Sequence, residues 1–247
     1  MSRTVLVTGG AKRLGAAIVR RLAMDGHQVV IHYGRSGDEA EALADEVGAA
    51  GTVGGDLAQL DAIDDLWARA REVAGGPIDG LVNSASQFEF DRPEAVDLSL
   101  AGRLYAVNCT APVLLAGCLA RQEADGAVVN LLDQKVANPN PDFLSYTLSK
   151  AALAEATILM AQAFAPAVRV NAVAPGLTLA SGDQSPAAFD RVARQNLLER
   201  PVGAAAVADG VAYLVGAESV TGQTLFVDCG QRFLKRDGDV MFEGREE

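Results

Sequence analysis

Thr4-Val5-Leu6-Val7-Thr8-Gly9-Gly10-Ala11-Lys12-Arg13-Leu14-Gly15 is the stretch that decides the fold. Thr4 to Val7 reads as a short apolar strand, the glycines break it, and a helical pattern then runs to about Asp25. Strand, glycine turn and helix in that order aim unpaired backbone N–H groups and the positive end of a helix dipole at one point, which suits a phosphate. Gly9 permits the tight turn and Gly15 close packing of the helix. Many strand-to-helix turns carry a glycine without any ligand, so the decision rests on the next element.

That element is a second strand, Gln28 to Tyr33 (QVVIHY), followed by Gly34-Arg35-Ser36. A site for NAD places an acid here to hold the ribose 2′-hydroxyl, whereas Arg and Ser suit a 2′-phosphate. No acid stands before Asp38. Arg35 offers a charge-assisted grip, so NADPH is the expected cofactor, against the reading of Arg35 as a solvated loop charge.

The alternation continues outward. A helix is expected over about Asp38–Ala49, a weak Gly-rich strand ending at Asp56-Leu57, a helix over about Leu60–Ala74 and a strand over Ile78–Val82 that ends in Asn83-Ser84-Ala85-Ser86. A long helix over Leu98–Arg121, a strand over Ala127–Leu132, a helix over Tyr146–Phe164 and a strand over Val168–Val173 follow, then a helix over Ala204–Leu214 and a strand over Leu225–Val227. This order predicts an α/β fold: one doubly wound Rossmann-type domain over residues 1–247, with a seven-stranded parallel sheet flanked by helices on both faces. Residues 175–200 are expected to form a lid over the substrate, and 231–247 a charged C-terminal tail.

Composition narrows the partners. A net charge of −11 without a Lys/Arg cluster argues against nucleic acid and anionic membrane, leaving a small molecule. Cys109, Cys118 and Cys229 are scattered in apolar segments without metal-ligand spacing, so neither a disulfide framework nor a metal is expected. With no run of 18 apolar residues and no signal-type start, a cytoplasmic protein is expected.

The chemistry is expected between Asp133 and Lys150, DQKVANPNPDFLSYTLSK. Tyr146 and Lys150 share one helix face at i, i+4. A tyrosine with a pKa of about 10 is a poor proton donor unless a nearby cation stabilises its phenolate, and Lys150 is placed to do that. Asp133 leaves a strand end, where open α/β sheets put their chemistry. A Tyr/Lys pair at this spacing is also common on helix surfaces by chance, so its company carries the weight. Asn108, polar among Leu, Val and Cys within a helix, requires a buried partner, either backbone or a water. Phe88, at a strand exit, either packs or stacks on a planar substrate. The helix after Tyr146 is apolar nearly all round and must be covered by the fold or by another subunit.

Thr8-Gly9 with Gly15, Asn83 with Ala85, Asn108, Tyr146-x-x-x-Lys150 and Pro175-Gly176 together resemble the short-chain dehydrogenase/reductase superfamily over roughly Val5 to Gly230. The resemblance implies that Tyr146 donates a proton, that Lys150 lowers its pKa and holds the nicotinamide ribose, and that Asn108 supports a relay water. It further implies NADPH/NADP+ held by Gly9, Lys12, Arg13, Leu14, Gly15, Tyr33, Arg35, Ser36, Asp56, Leu57, Asn83, Ala85, Ser86, Lys150, Pro175, Gly176 and Thr178, and a homotetramer. Three departures stand out: Arg13 replaces the second glycine of TGxxxGxG, Asp133 replaces the usual catalytic serine, and Asn83-Ser84-Ala85-Ser86 replaces Asn-Asn-Ala-Gly.

The first two departures, with His32-Tyr33-x-Arg35-Ser36, Ser86-x-Phe88 and Pro175-Gly176-Leu177, are similar to the pteridine reductases and dihydromonapterin reductases. That branch implies a pterin between Phe88 and the nicotinamide, touching Arg13, Asp133 and Tyr146. Chemistry points the same way: an ionised carboxylate repels the oxyanion of ketone reduction, whereas an Asp beside the tyrosine can relay a proton to a ring nitrogen. A protonated Asp133 would blunt that contrast. The expected function is therefore NADPH-dependent reduction of a pterin, dihydropterin or dihydrofolate C=N bond. The alternatives are a general carbonyl reductase or alcohol dehydrogenase, and a non-catalytic nucleotide-sensing or scaffold protein. The tail from Gln231 matches no motif of this resemblance, and either covers a neighbouring subunit or is mobile.

Overall fold

Parallel strands buried on both faces read as near-continuous apolar runs, and these runs become the sheet. The computed structural model describes residues 2–122, 124–180, 185–239 and 242, with the backbone alone at Pro186 and Ala188. Its strands are β1 (Thr4–Thr8), β2 (Gln28–Tyr33), β3 (Gly51–Gly54), β4 (Gly80–Asn83), β5 (Gly126–Leu131), β6 (Val168–Pro175) and β7 (Thr224–Val227). They form one sheet in the order β3-β2-β1-β4-β5-β6-β7, every neighbouring pair parallel.

Alternate residues of each strand serve opposite faces. Val5, Val7, Val29 and Ile31 pack with α1 (Arg13–Met24), α2 (Gly37–Val47) and α7 (Ala204–Gly216). Leu6, Val30, Leu81 and Val128 pack with α3 (Ile63–Ala74), α5 (Ala111–Ala120) and α6 (Leu144–Ala163). From β1 the chain winds outward through β2 and β3, then returns to place β4 on the other side of β1. Connections on the two sides diverge there and leave a crevice at the strands' carboxyl ends.

Polar residues line up at that edge. Parallel register sets Thr8 beside Asn83 and Asn83 beside Asn130. Asn83 donates to Asn130 Oδ1 at 2.9 Å, and Asn130 to Thr157 Oγ1 at 2.9 Å, so a buried ladder of side chains ties β4 and β5 to α6. Buried amides without such partners would cost about 1–3 kcal/mol each.

The element bounds differ from the sequence reading by a residue or two at most ends, and three differences matter here. The strand expected to end at Asp56-Leu57 stops at Gly54, because Asp56 turns the chain by accepting from the Ala58 N–H at 3.0 Å. The expected long helix Leu98–Arg121 is α4 (Leu98–Tyr105), a π-helical turn over Ala106–Thr110 and then α5. By length and mean hydropathy this run could cross a membrane, but it carries Arg103 and Asn108 and its most apolar window is more than half buried within the chain itself. Finally, the strand expected over Val168–Val173 extends through Pro175.

Candidate active site

β5 ends at Leu131, and two residues later Asp133 caps a short 3-10 turn over Gln134–Val136. One carboxylate oxygen, Oδ1, accepts from the Lys135 backbone N–H at 2.8 Å; the other, Oδ2, accepts from the Tyr146 hydroxyl at 2.9 Å. Tyr146 lies in the first turn of α6, and Lys150 one turn on is buried, its Nζ donating to the Leu131 carbonyl at 2.7 Å. The ammonium lies 5.8 Å from the centre of the Tyr146 ring. Asp133, Tyr146 and Lys150 thus meet at the carboxyl end of β5.

Electrostatics at this spot departs from the sequence expectation that Lys150 lowers the Tyr146 pKa. The phenol is pushed well above its usual range, first by burial and then by the Asp133 carboxylate to which it donates. A direct bond to a carboxylate favours the protonated phenol more than the ammonium, held on a carbonyl, favours the phenolate. Burial also raises Asp133, and it lowers Lys150 to about 8.

Asn108 is held by four hydrogen bonds within the chain. In the π-helical turn, its Oδ1 accepts from the Gln87 N–H at 2.8 Å and the Ser86 hydroxyl at 3.2 Å. Its Nδ2 donates to the Gln87 carbonyl at 2.9 Å and to Ser149 Oγ at 3.1 Å. Both donors and two acceptor positions are committed within the chain, so the side chain fastens the loop after β4 to α6. Two of the four partners are the Gln87 backbone groups, one of the two readings the sequence left open, and the other two are serine hydroxyls.

That loop carries Phe88, stacked on Phe143 at 4.1 Å and edge-on to Tyr146 at 4.7 Å, yet 40% exposed. It both packs and presents a ring. Phe88, Ser86, Arg13, Asp133, Tyr146 and Thr178 line one cleft of about 280 Å³. Arg13 spans it, donating to the Ala180 carbonyl at 2.7 Å. Ser181 to Gln184, part of the expected lid, lie outside the described residues.

The expected cofactor residues border the same crevice. A Cβ on Gly15 would come within 2.0 Å of the Gly9 carbonyl oxygen, so only glycine allows this approach of helix and turn. The N-terminus of α1, with Arg13 and Leu14, has neither a side-chain cap nor an acid in its first turn, which leaves N–H donors for an anion. Thr8 Oγ1 accepts from the Ser84 and Ala85 N–H groups at 3.0 and 3.1 Å and pins the β4 exit to the β1 turn. Arg35 is exposed, with no side-chain partner among the described residues, and Ser36 follows it at the α2 N-cap. Tyr33 packs on Gly54 and Gly37, while Leu57 is buried. Lys12 pairs instead with Glu39 across the exposed surface. Thr178 donates to the Gly176 carbonyl at 2.8 Å, just beyond Pro175. This donor set and the glycine cradle fit a dinucleotide with an additional phosphate near Arg35.

Sequence reasoning missed three residues: His32, Lys135 and Asp239. His32 is buried, takes the Gly9 N–H on Nδ1 at 3.2 Å and approaches the Gly55 carbonyl through Nε2 at 3.1 Å. Its neutral ring, with the pKa lowered to about 4 by burial, bolts the phosphate turn to the end of β3. Alternation in QVVIHY places it on the same face as Val30, itself buried in the core, where a polar ring requires hydrogen-bond partners.

A doubly wound parallel sheet with a Tyr/Lys pair beside a glycine turn defines a nicotinamide-dependent oxidoreductase. The short chain dehydrogenase family model matches residues 3–188, and the chain belongs to that family. Among solved structures it is similar to the FolM alternative dihydrofolate reductase 1 of Brucella canis complexed with NADP, at 42% identity and a TM-score of 0.90 over 95% of each chain. The Brucella suis protein, also in complex with NADP, matches equally well at 42% and 0.90. Among curated proteins it is similar to a 3-oxoacyl-[acyl-carrier-protein] reductase of Staphylococcus aureus, at 29% identity over 93% of this chain and 98% of the relative. It is also 32% identical to 3beta-hydroxysteroid dehydrogenase 1 of Eggerthella lenta, over 92% of this chain and 93% of the relative.

Proposed function

We propose that this oxidoreductase uses NADPH to reduce a C=N bond of a pterin, dihydropterin or dihydrofolate. The observation that carries the reading is the 2.9 Å hydrogen bond from the Tyr146 hydroxyl to Asp133. Likeness to the NADP-bound FolM structures at 42% supports both cofactor and substrate class over carbonyl reduction, which rests on relatives at 29% and 32%.

Bound NADPH would supply the hydride. Gly9, Gly15 and the α1 N-terminus would hold its phosphates, Arg35 and Ser36 the 2′-phosphate, and Lys150 the nicotinamide ribose. Asp133 and Tyr146 act as one proton-carrying pair. Burial raises the pKa of each group, and the hydrogen bond from the Tyr146 hydroxyl to the Asp133 carboxylate makes the pair, not either group alone, the carrier of the proton that passes to a ring nitrogen. The same carboxylate beside a forming alkoxide would repel it, which disfavours ketones. Phe88 stacks on the planar substrate and Arg13 clamps its outer edge.

NADPH oxidation measured side by side with a dihydropterin, a dihydrofolate and several ketones tests the reading. D133S is expected to abolish ring-nitrogen reduction and to leave or improve ketone turnover; retained pterin turnover in D133S would overturn it. The reading carries with it a cytoplasmic homotetramer, a lid over 175–200 and one domain over the chain. The α6 face of Leu148, Ile158 and Leu159 is exposed, so this chain alone does not cover it. A monomer in sedimentation at micromolar concentration would refute the tetramer.

A further inference from the structure

The C-terminal segment, for which the sequence offers no role, folds back onto the catalytic loop of its own chain. Gln231 Oε1 accepts from the Leu177 N–H at 2.8 Å, and Asn138 and Asn140 donate to the Leu234 and Gly238 carbonyls at 2.9 and 3.3 Å. Asp239 completes the attachment: its N–H donates to Asp142 at 2.8 Å and its carboxylate accepts from Lys135 Nζ at 2.8 Å.

Lys135 faces both ways. Its backbone N–H holds the Asp133 carboxylate, and its ammonium, with Asn140 and the Asp142 carbonyl as further acceptors, holds Asp239. The two charged side chains are only 4% and 10% exposed. Asp239 and Gln231 also line the cleft that contains Asp133 and Tyr146. At about 280 Å³ that cleft is at the small end for a ligand site.

We propose that the segment from Gln231 to Asp239 is the substrate-facing wall of the site, and that Asp239, latched to Lys135, is a specificity-determining residue that admits compact neutral ring systems and turns away long or anionic substituents. The ring substrate in this statement rests on the pterin reading; the wall does not. A carboxylate in the wall neutralises the Lys135 ammonium and presents no net positive charge to an anionic tail. Without it the ammonium would stand uncompensated beside the cleft and attract one.

The test compares a dihydropterin bearing a short hydroxylated substituent with dihydrofolate, whose tail ends in glutamate, in the wild type, D239N and the double variant K135M/D239L. Removing one charge of a buried pair destabilises strongly, whereas replacing both by apolar groups is often neutral, so the double variant guards against simple unfolding. D239N is expected to shift the kcat/KM ratio toward dihydrofolate by about tenfold or more, through KM. K135M/D239L is expected to recover both the wild-type unfolding temperature and the wild-type ratio, because no uncompensated ammonium remains. A purely structural tail would lower activity on both substrates alike and recover with stability; an unchanged ratio in folded D239N overturns the proposal. If the wild type reduces neither ring substrate, the pterin reading fails, and the wall is judged with a short neutral β-keto ester against a long anionic β-ketoacyl thioester, where D239N must narrow the preference about tenfold or the wall fails too.

Discussion

The two ends of the cleft are built by different means. At the cofactor end, the turn of Thr8 to Gly15 is set by strand register, backbone hydrogen bonds and a glycine contact, all among neighbours in the sheet. At the substrate end, Asp133, Lys135 and Asp239 are joined by side-chain contacts, one of which spans 104 positions of sequence. The first end is rigid because backbone geometry admits few alternatives; the second is rigid only while its charged and polar pairs stay intact. Perturbations should separate them.

The sharpest separation is Y146F, which removes the proposed proton donor and leaves the turn untouched. Turnover is expected to fall by about 10²- to 10⁴-fold, with NADPH affinity, followed by fluorescence titration, unchanged within about twofold. G15A is the mirror image: its methyl would sit 2.0 Å from the Gly9 carbonyl, so helix and turn must part. Overpacking of this kind costs about 1–3 kcal/mol, and here the loss should appear as weakened NADPH binding and a lower unfolding temperature. Normal cofactor affinity in G15A would show that the turn is softer than its geometry implies.

The two ends should also fail at opposite extremes of pH. His32 at the cofactor end has its pKa lowered from 6.5 to about 4. The unfolded chain therefore takes up a proton that the folded chain refuses, and stability on the order of 3 kcal/mol is lost as pH falls from 6.5 through 4. Denaturant midpoints at neutral and acid pH would measure this, and H32N should flatten the slope. Lys150 is lowered from 10.5 to about 8, so the fold refuses its proton in the alkaline range and stability rises across that window. Activity should fall through about pH 8 as the ammonium is lost, so rate and stability part company there. An alkaline limb that persists in K150R near pH 8 would assign it to another group.

The same contrast governs what the sequence could disclose. The strand–turn–helix at Thr4 to Gly15, the parallel sheet and the Asp133/Tyr146/Lys150 set are local patterns or fixed spacings, and they could be read directly. The raised Tyr146 phenol could not, because it depends on burial and on which partner bonds first. Nor could the employment of Asn108, since the Gln87 backbone that occupies it comes from another element. Lys135 lay inside the stretch quoted for its chemistry but has meaning only once Asp239 returns to it. A charged tail carries no periodicity from which such a return could be inferred.

The smallest expected effect tests the one residue that serves both ends. Arg13 opens α1 at φ +52°, a left-handed conformation that strains any residue with a Cβ, yet it stands where the wider family has glycine. Relief of that strain in R13G should stabilise the fold by about 1–2 kcal/mol, partly offset by the greater freedom of glycine in the unfolded chain. The guanidinium, however, bonds the Ala180 carbonyl at 2.7 Å across the cleft, and glycine cannot reach it. R13G is therefore expected to unfold at the same or a slightly higher temperature while its substrate KM rises. If stability falls instead, the bridge to Ala180 outweighs the backbone strain, and the two ends of the cleft are mechanically joined through Arg13.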